Sequence, residues 1–329
     1  MSNHLLAWAD LKDGSGWETL VLGNGLSMNI WSRFAYSNLF KQASPNLNPS
    51  ASLLFSDFQT KNFETVLEAL WHAERTLTAL QRDAAEVTQL YEDVQHALFQ
   101  AVQQVHVPWK DIDRSTLEQI SEAMSSHRLV FTLNYDLLTY WAAMHSGADS
   151  AIKDFFWTPQ NTFDINNATL EEGKTGLLYL HGGLHLWQDA QSGRTGKWTN
   201  RSGGALLKNL EANFKSSSNR QPVLVSEGTS PQKMARIRKS VYLTYALQAL
   251  SDNTSDTVIF GTNFADQDKH ISNAIDAGQQ RRIAISIHPG TRDQNDAAIA
   301  KYHSRFREHE LMFFDSTSHP LGDRSLSVR

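Results

Sequence analysis

Four polar clusters stand where apolar runs break off, and each carries groups able to hold a ligand or move a proton. Phe131-Thr132-Leu133-Asn134-Tyr135-Asp136 ends one run with a carboxamide followed by a carboxylate. Leu178-Tyr179-Leu180-His181-Gly182-Gly183 ends another with an imidazole and two glycines. An imidazole there can hydrogen-bond a substrate or accept a proton near neutral pH, and two glycines would leave room beside it. Phe260-Gly261-Thr262-Asn263-Phe264-Ala265-Asp266-Gln267-Asp268 offers small residues, a hydroxyl and carboxylates, suited to a phosphate or ribose. Val225-Ser226-Glu227-Gly228-Thr229 closes a further run in the same manner.

An earlier loop, Gly23-Asn24-Gly25-Leu26-Ser27, follows the apolar run at Thr19–Leu22. Glycines admit backbone geometries closed to other residues, and amides at a helix start attract phosphate oxygens. The dinucleotide fingerprint requires a third glycine where this chain has Met28, so the loop alone reads equally as a tight turn. The other clusters have plain readings too. Asp136 suits an Asx turn that caps the next helix, as Asp266 or Asp268 would. A single histidine is usually structural, and His185 lies close enough to be a decoy for His181.

These groups need strands to position them. Glu18–Leu22, Arg128–Leu133, Gly176–Leu180, Pro222–Ser226, Thr257–Phe260, Arg282–Ile287 and Glu310–Phe314 read as strands. Most are almost continuously apolar, as in strands covered on both faces, and helical segments separate many of them. The expected fold is α/β: a Rossmann-like, doubly wound, mostly parallel sheet forming one domain over 1–329. Ligands in such sheets bind at the carboxyl ends of the strands, where these clusters fall.

Residues 62–126 read as a helical insertion. Phe63, Val66, Leu67, Leu70, Leu77 and Leu80 keep helical spacing, as do Val87, Leu90, Val94, Leu98 and Val102. Ser115-Thr116-Leu117-Glu118 has the capping-box pattern for a third helix. Ser44–Ser52 and Asp189–Gly204 read as loops, and the residues from Ser316 onward as a loosely held tail.

The 329 residues carry a net charge of −5, which argues against direct nucleic-acid binding. The basic run Lys233-Met234-Ala235-Arg236-Ile237-Arg238-Lys239 reads as a solvated helix face. There is no cysteine, so disulfides, thiol nucleophiles and cysteine-held zinc are excluded, and no metal is expected. No apolar run is long enough to span a membrane and no leader pattern opens the chain, so a cytoplasmic protein is expected.

The order Gly-x-Gly-x-Ser, Asn-x-Asp, His-Gly, Gly-Thr-Asn resembles the sirtuin family over about Leu20 to Asp268. It is most similar to bacterial sirtuin-like proteins without the zinc ribbon, several of which cleave NAD+ in anti-phage defence. The resemblance implies a sirtuin-type fold with NAD+ as substrate and no zinc. Gly23, Asn24, Gly25 and Ser27 would hold the pyrophosphate, with Asn134 and Asp136 by the nicotinamide ribose and His181 as the catalytic imidazole. Gly261, Thr262 and Asn263 would lie near the adenosine-side ribose and phosphate, with Glu227 and Asp266 as further cofactor contacts. The implied reaction is NAD+ hydrolysis to nicotinamide and ADP-ribose, gated by self-association or an activating partner protein. A non-catalytic NAD+ or ADP-ribose sensor and an ADP-ribosyltransferase are the alternatives. An oxidoreductase is disfavoured by Met28.

Overall fold

The computed structural model describes residues 5–12, 16–145, 150–199, 204–217, 219–226 and 228–328. Its strands are β1 (Thr19–Leu22), β2 (Leu129–Thr132), β3 (Ile152–Lys153), β4 (Thr175–Tyr179), β5 (Gly182–Asp189), β6 (Thr195–Lys197), β7 (Arg220–Leu224), β8 (Thr257–Phe260), β9 (Arg282–Ile287) and β10 (Glu310–Asp315). Seven of them form one parallel sheet in the order β10-β9-β8-β1-β2-β4-β3. Every residue of β1, β4 and β8 is buried, so both sheet faces are covered there. This is why the apolar runs are continuous rather than alternating.

β1 pairs with β2 on one side and β8 on the other, with Leu22 opposite both Thr132 and Phe260. The chain therefore leaves β1 towards one half of the sheet and later returns to the other half. In open α/β sheets the crevice at such a reversal is where ligands bind.

The Pro222–Ser226 run does not join this sheet. It overlaps β7, which pairs antiparallel with β5 in a separate three-stranded sheet, β6-β5-β7. Gly182 explains the switch. At φ +80° it turns the chain out of β4 straight into β5, and a Cβ there would lie 1.9 Å from the Val223 carbonyl oxygen. Gly182 thus serves the switch between sheets and the packing of β5 on β7 rather than space for a substrate.

The helices are α1 (Trp8–Lys12), α2 (Asn24–Ile30), α3 (Tyr36–Ala43), α4 (Pro49–Asp57), α5 (Phe63–Ala79), α6 (Ala85–Val105), α7 (Arg114–Ser125), α8 (Leu138–His145), α9 (Gly204–Ser216), α10 (Ser230–Ile237), α11 (Val241–Ser251), α12 (Lys269–Asp276) and α13 (Arg292–Arg305). In α5 and α6 the predicted stripe is buried at Phe63, Val66, Leu67, Leu70, Val94, Leu98 and Val102. At the far end of the hairpin it fails, and Leu80 is 61% exposed.

Four local expectations are corrected. Within Ser44–Ser52, α4 begins at Pro49, with Asn48 accepting the Ala51 N–H at 2.8 Å. An N-cap asparagine before a first-turn proline is a start signal that composition alone conceals. The Ser115 capping box is not formed: Asp113 is the N-cap, and Glu118 instead pairs with Arg114 at 2.9 Å. Within Asp189–Gly204, β6 is hidden because Thr195-Gly196-Lys197 has no large apolar residue; Lys197 is buried against Asp154 at 2.5 Å. The tail is not loose. Leu321 and Leu326 are buried, and Asn29 Nδ2 donates to the carbonyls of Leu321 and Asp323 at 3.1 and 3.0 Å. Among the described residues no helix is long and apolar enough to cross a membrane.

Candidate active site at the strand ends

The first turns after β1 and β8 press against each other. The Gly23 N–H donates to the Phe260 carbonyl at 2.9 Å, and the Gly25 N–H to the Gly261 carbonyl at 2.7 Å. A Cβ on Gly25 would stand 2.6 Å from the Gly261 Cα, and Gly261 itself has φ +73°. Only glycine fits such a backbone crossing. Asn24 and Gly25 remain partly exposed at its rim.

From β2, the Asn134 carboxamide reaches back into this crossing. Its Nδ2 donates to the Gly23 carbonyl at 3.1 Å and to the Ser27 hydroxyl at 2.9 Å. Ser27 in turn donates to Asp136 Oδ2 at 2.5 Å, while Asp136 Oδ1 accepts the Leu138 N–H at 2.8 Å. Asp136 therefore forms the Asx turn before α8 and also ties β2 to α2, with both oxygens engaged. Asn134 Oδ1 is different. It is buried and has no hydrogen-bond partner, a costly state for an amide carbonyl and one that a ligand donor would relieve.

From β4, His181 meets groups that are distant in sequence. Its Nε2 lies 2.9 Å from His270 Nε2 and 4.0 Å from Asp268 Oδ1. The same Asp268 oxygen accepts from Lys233 Nζ at 2.9 Å, and Lys233 also reaches Glu64 Oε1 at 2.8 Å. His181, His270 and Lys233 are all buried. Burial, then Lys233 and His270, push the His181 imidazole well below the ordinary histidine range. Burial and Lys233 push His270 down to about 4, against the pull of Asp268. Burial opposes the charge on Lys233, but Glu64 and Asp268 together outweigh it and hold the ammonium above the usual lysine range. Both imidazoles are therefore neutral at physiological pH, beside a fixed ammonium.

Donor atoms of His181, Asp268 and His270 lie within 4.8 Å of one another, a set that can ligate a cation. Two features favour a hydrogen-bonded cluster instead. An N···N distance of 2.9 Å is a hydrogen bond, which needs a proton on one nitrogen. The carboxylate is already neutralised by Lys233, whose charge would repel a metal ion.

A cleft of about 1090 Å³ opens between the α5–α6 hairpin and the β7–α10 segment. Ser226 and Gln232 line it. Each adjoins in sequence a residue of the cluster's surroundings: Val225, whose N–H donates to the His181 carbonyl at 2.9 Å, and Lys233. Tyr135 is partly exposed, bonds the Val225 carbonyl at 2.6 Å and lies with its ring 6.5 Å from that of His181. A smaller cavity of about 410 Å³, lined by Trp17, Glu18 and Arg128, lies at the opposite, amino ends of β1 and β2 and takes in none of the motifs.

The sequence pattern described as Domain of unknown function (DUF4917) matches residues 20–321, a span that includes all of these strand ends. The chain belongs to the DUF4917 family. None of the curated proteins matches it.

In this DUF4917 chain the sequence-predicted groups divide. Gly23, Gly25, Ser27, Asn134, Asp136 and Gly261 meet in one hydrogen-bonded or packed assembly, and Asn24 edges it. His181 stands at the end of β4, next but one to β1, in its own charged cluster. The Thr262 and Asn263 carbonyls are taken by the Tyr302 hydroxyl and by Lys301 Nζ, the latter at 2.7 Å. Asp266 is 81% exposed at its side chain and pairs with Lys269 and Arg305. Glu227 lies outside the described residues. His270, Lys233 and Glu64 were missed. Lys233 corrects the reading of the basic run as a solvated face: it is the member that points inward, set apart from Arg236, Arg238 and Lys239 by burial alone.

Proposed function

We propose that this chain is a sirtuin-type NAD+ hydrolase, cleaving the nicotinamide–ribose bond without zinc to give nicotinamide and ADP-ribose. The observation that carries this reading is the orphaned Asn134 Oδ1, buried where the ends of β1, β2 and β8 meet. A ribose hydroxyl or an attacking water is a donor of the kind that oxygen lacks. The pyrophosphate would lie against the rim at Asn24 and Gly25, since the Gly23 and Gly25 amides and the Ser27 hydroxyl already have acceptors within the protein, and the Thr262–Asn263 segment would face the adenosine side.

Cleavage builds positive charge on the ribose in an oxocarbenium-like transition state. Nicotinamide departs neutral, so the site needs no strong acid. It must fix the ribose, exclude bulk water and accept one proton from the attacking water. Neutral His181 supplies the acceptor and Asn134 the orientation. A constantly active NADase would drain its own cell, so we include gating by self-association or a partner protein, in the cytoplasm, as an anti-phage effector would require.

The test is incubation with NAD+, following nicotinamide release and NAD+ binding together. Release from the wild type, reduced about 10²–10⁴-fold by Asn134→Ala or His181→Ala, supports hydrolysis. Binding without release, also at protein concentrations that favour self-association and with cell extract added, makes the protein a non-catalytic nucleotide sensor. ADP-ribose attached to protein or nucleic acid identifies a transferase. Neither binding nor release ends the reading.

A further inference from the structure

We propose that His270 is the working partner of His181: the two imidazoles share a proton between their Nε2 atoms, and His270 takes that proton as His181 receives another from the attacking water. Lys233, Asp268 and Glu64 are the positioning residues that hold the pair. The catalytic part rests on the NAD-hydrolase reading; the paired imidazoles stand on geometry of their own.

The two rings are stacked, with centroids 5.1 Å apart at 28° and the Nε2 atoms 2.9 Å apart. At that distance one nitrogen must donate and the other accept, since two bare lone pairs or two N–H groups would repel. The elements packed around them bring a definite set of charges. Lys233 comes from α10, Asp268 from the turn before α12, and Glu64 from the start of α5, while Tyr135 contributes its ring from beyond β2. Lys233 bridges Glu64 and Asp268, so the helical hairpin is fastened to the turn that leads into α12, the helix that carries His270.

The steps balance without any further reagent. As the water oxygen bonds to the anomeric carbon, the C–N electron pair leaves with nicotinamide. The water proton passes to Nδ1 of His181, and the proton on its Nε2 passes to Nε2 of His270. Asp268, partly exposed and with a carboxylate oxygen within 4.8 Å of donor nitrogens of both rings, stabilises the transient His270 imidazolium. Lys233 opposes a lasting charge: once ADP-ribose has left, the Nε2 proton returns from His270 to His181, His181 gives its Nδ1 proton to water in the opened site, and both rings regain their starting neutral tautomers.

The experiment has two arms on the full chain. In the first, nicotinamide release is followed against pH for wild type, His270→Asn and Lys233→Met, with NAD+ affinity measured alongside and folding checked by denaturation. His270→Asn is expected to lower kcat about 10²-fold, leave NAD+ affinity near wild type and alter the acid limb of the profile. A folded His270→Asn protein with wild-type kcat and profile overturns the relay. In the second arm, ¹⁵N spectra of the histidines are recorded through a pH titration without NAD+. A shared proton predicts coupled titration of His181 and His270, and a shift of the His181 Nε2 signal in His270→Asn. Independent titration of the two rings in the ordinary range overturns the pairing. If wild type neither binds nor cleaves NAD+, the hydrolase reading fails in the first arm, and the second still decides the pair.

Discussion

His181 and His185 are near neighbours in sequence, equally buried, and surrounded by different chemistry. His185 packs against Tyr140 at 4.4 Å and Tyr179 at 4.8 Å between centroids, and neither of its nitrogens has a hydrogen-bond partner, although the buried Lys197–Asp154 pair is close enough to act on its charge. Burial pushes it down to about 3. His181 has a second imidazole against it, with a carboxylate and an ammonium beyond. Desolvation lowers both rings, so a depressed pKa does not separate them. What separates them is whether a proton accepted by the ring has somewhere to go. An aromatic cage excludes water and offers no exit, whereas a braced chain of donors and acceptors does.

The widest gap should be in activity. His181→Ala is expected to reduce nicotinamide release by about 10²–10⁴-fold, as for loss of a general base, while His185→Ala stays near the wild-type rate. A folded His185→Ala protein as inactive as His181→Ala would break the contrast. Next comes stability, where each region has a buried lysine. Lys233→Met leaves Glu64 and Asp268 facing each other without a cation and is expected to cost about 3–5 kcal/mol in denaturant unfolding. Lys197→Met strands only Asp154 and should cost less. Equal costs would mean that the two-carboxylate brace adds nothing.

The parallel sheet was legible because β1, β2, β4, β8, β9 and β10 are apolar runs whose burial is set by the sheet itself. The strand ends followed from it, since groups two residues beyond Thr132 and Tyr179 must emerge at the carboxyl edge. Two kinds of feature escaped. β6 carries little apolar signal and is held by a buried ion pair, and the first turn of α4, Pro49-Ser50-Ala51-Ser52, is small and polar, its start set by a side-chain cap. The cluster around His181 escaped because Glu64, Lys233 and His270 are brought together only by tertiary packing. No periodicity or spacing links residues 64, 181, 233 and 270, and a lysine facing inward looks in sequence like the exposed ones beside it.

Acid should reveal the same contrast more gently. An unfolded histidine titrates near 6.5 whereas folded His185 resists protonation down to about 3. Between those values the unfolded state holds a proton that the folded state lacks. Stability is therefore complete above 6.5 and falls as pH drops, by about 1.4 kcal/mol per pH unit for each such group. His127 and His270, each near 4, contribute over a narrower range. His185→Leu removes one titrating group and two unpartnered nitrogens, so its unfolding free energy should fall less steeply than wild type across that window. Identical slopes would show that His185 is protonated in the fold after all.

The smallest effect belongs to Asp266. Its side chain is 81% exposed; Lys269 beside it at 3.2 Å is exposed as well, while Arg305, at 3.6 Å, is largely buried and already donates to the Phe264 carbonyl. Exposed pairs of this kind are worth little, because water screens the charges and ordering two long side chains costs entropy. Asp268, two positions on, shares the same local sequence but accepts a buried ammonium. Asp266→Asn should change unfolding stability by no more than about 0.5 kcal/mol, against a much larger loss for Asp268→Asn, which would leave Lys233 with Glu64 alone. Comparable losses at the two positions would mean that exposure does not rank the carboxylates of this loop, and that the surface pair at Asp266 belongs to the brace as well.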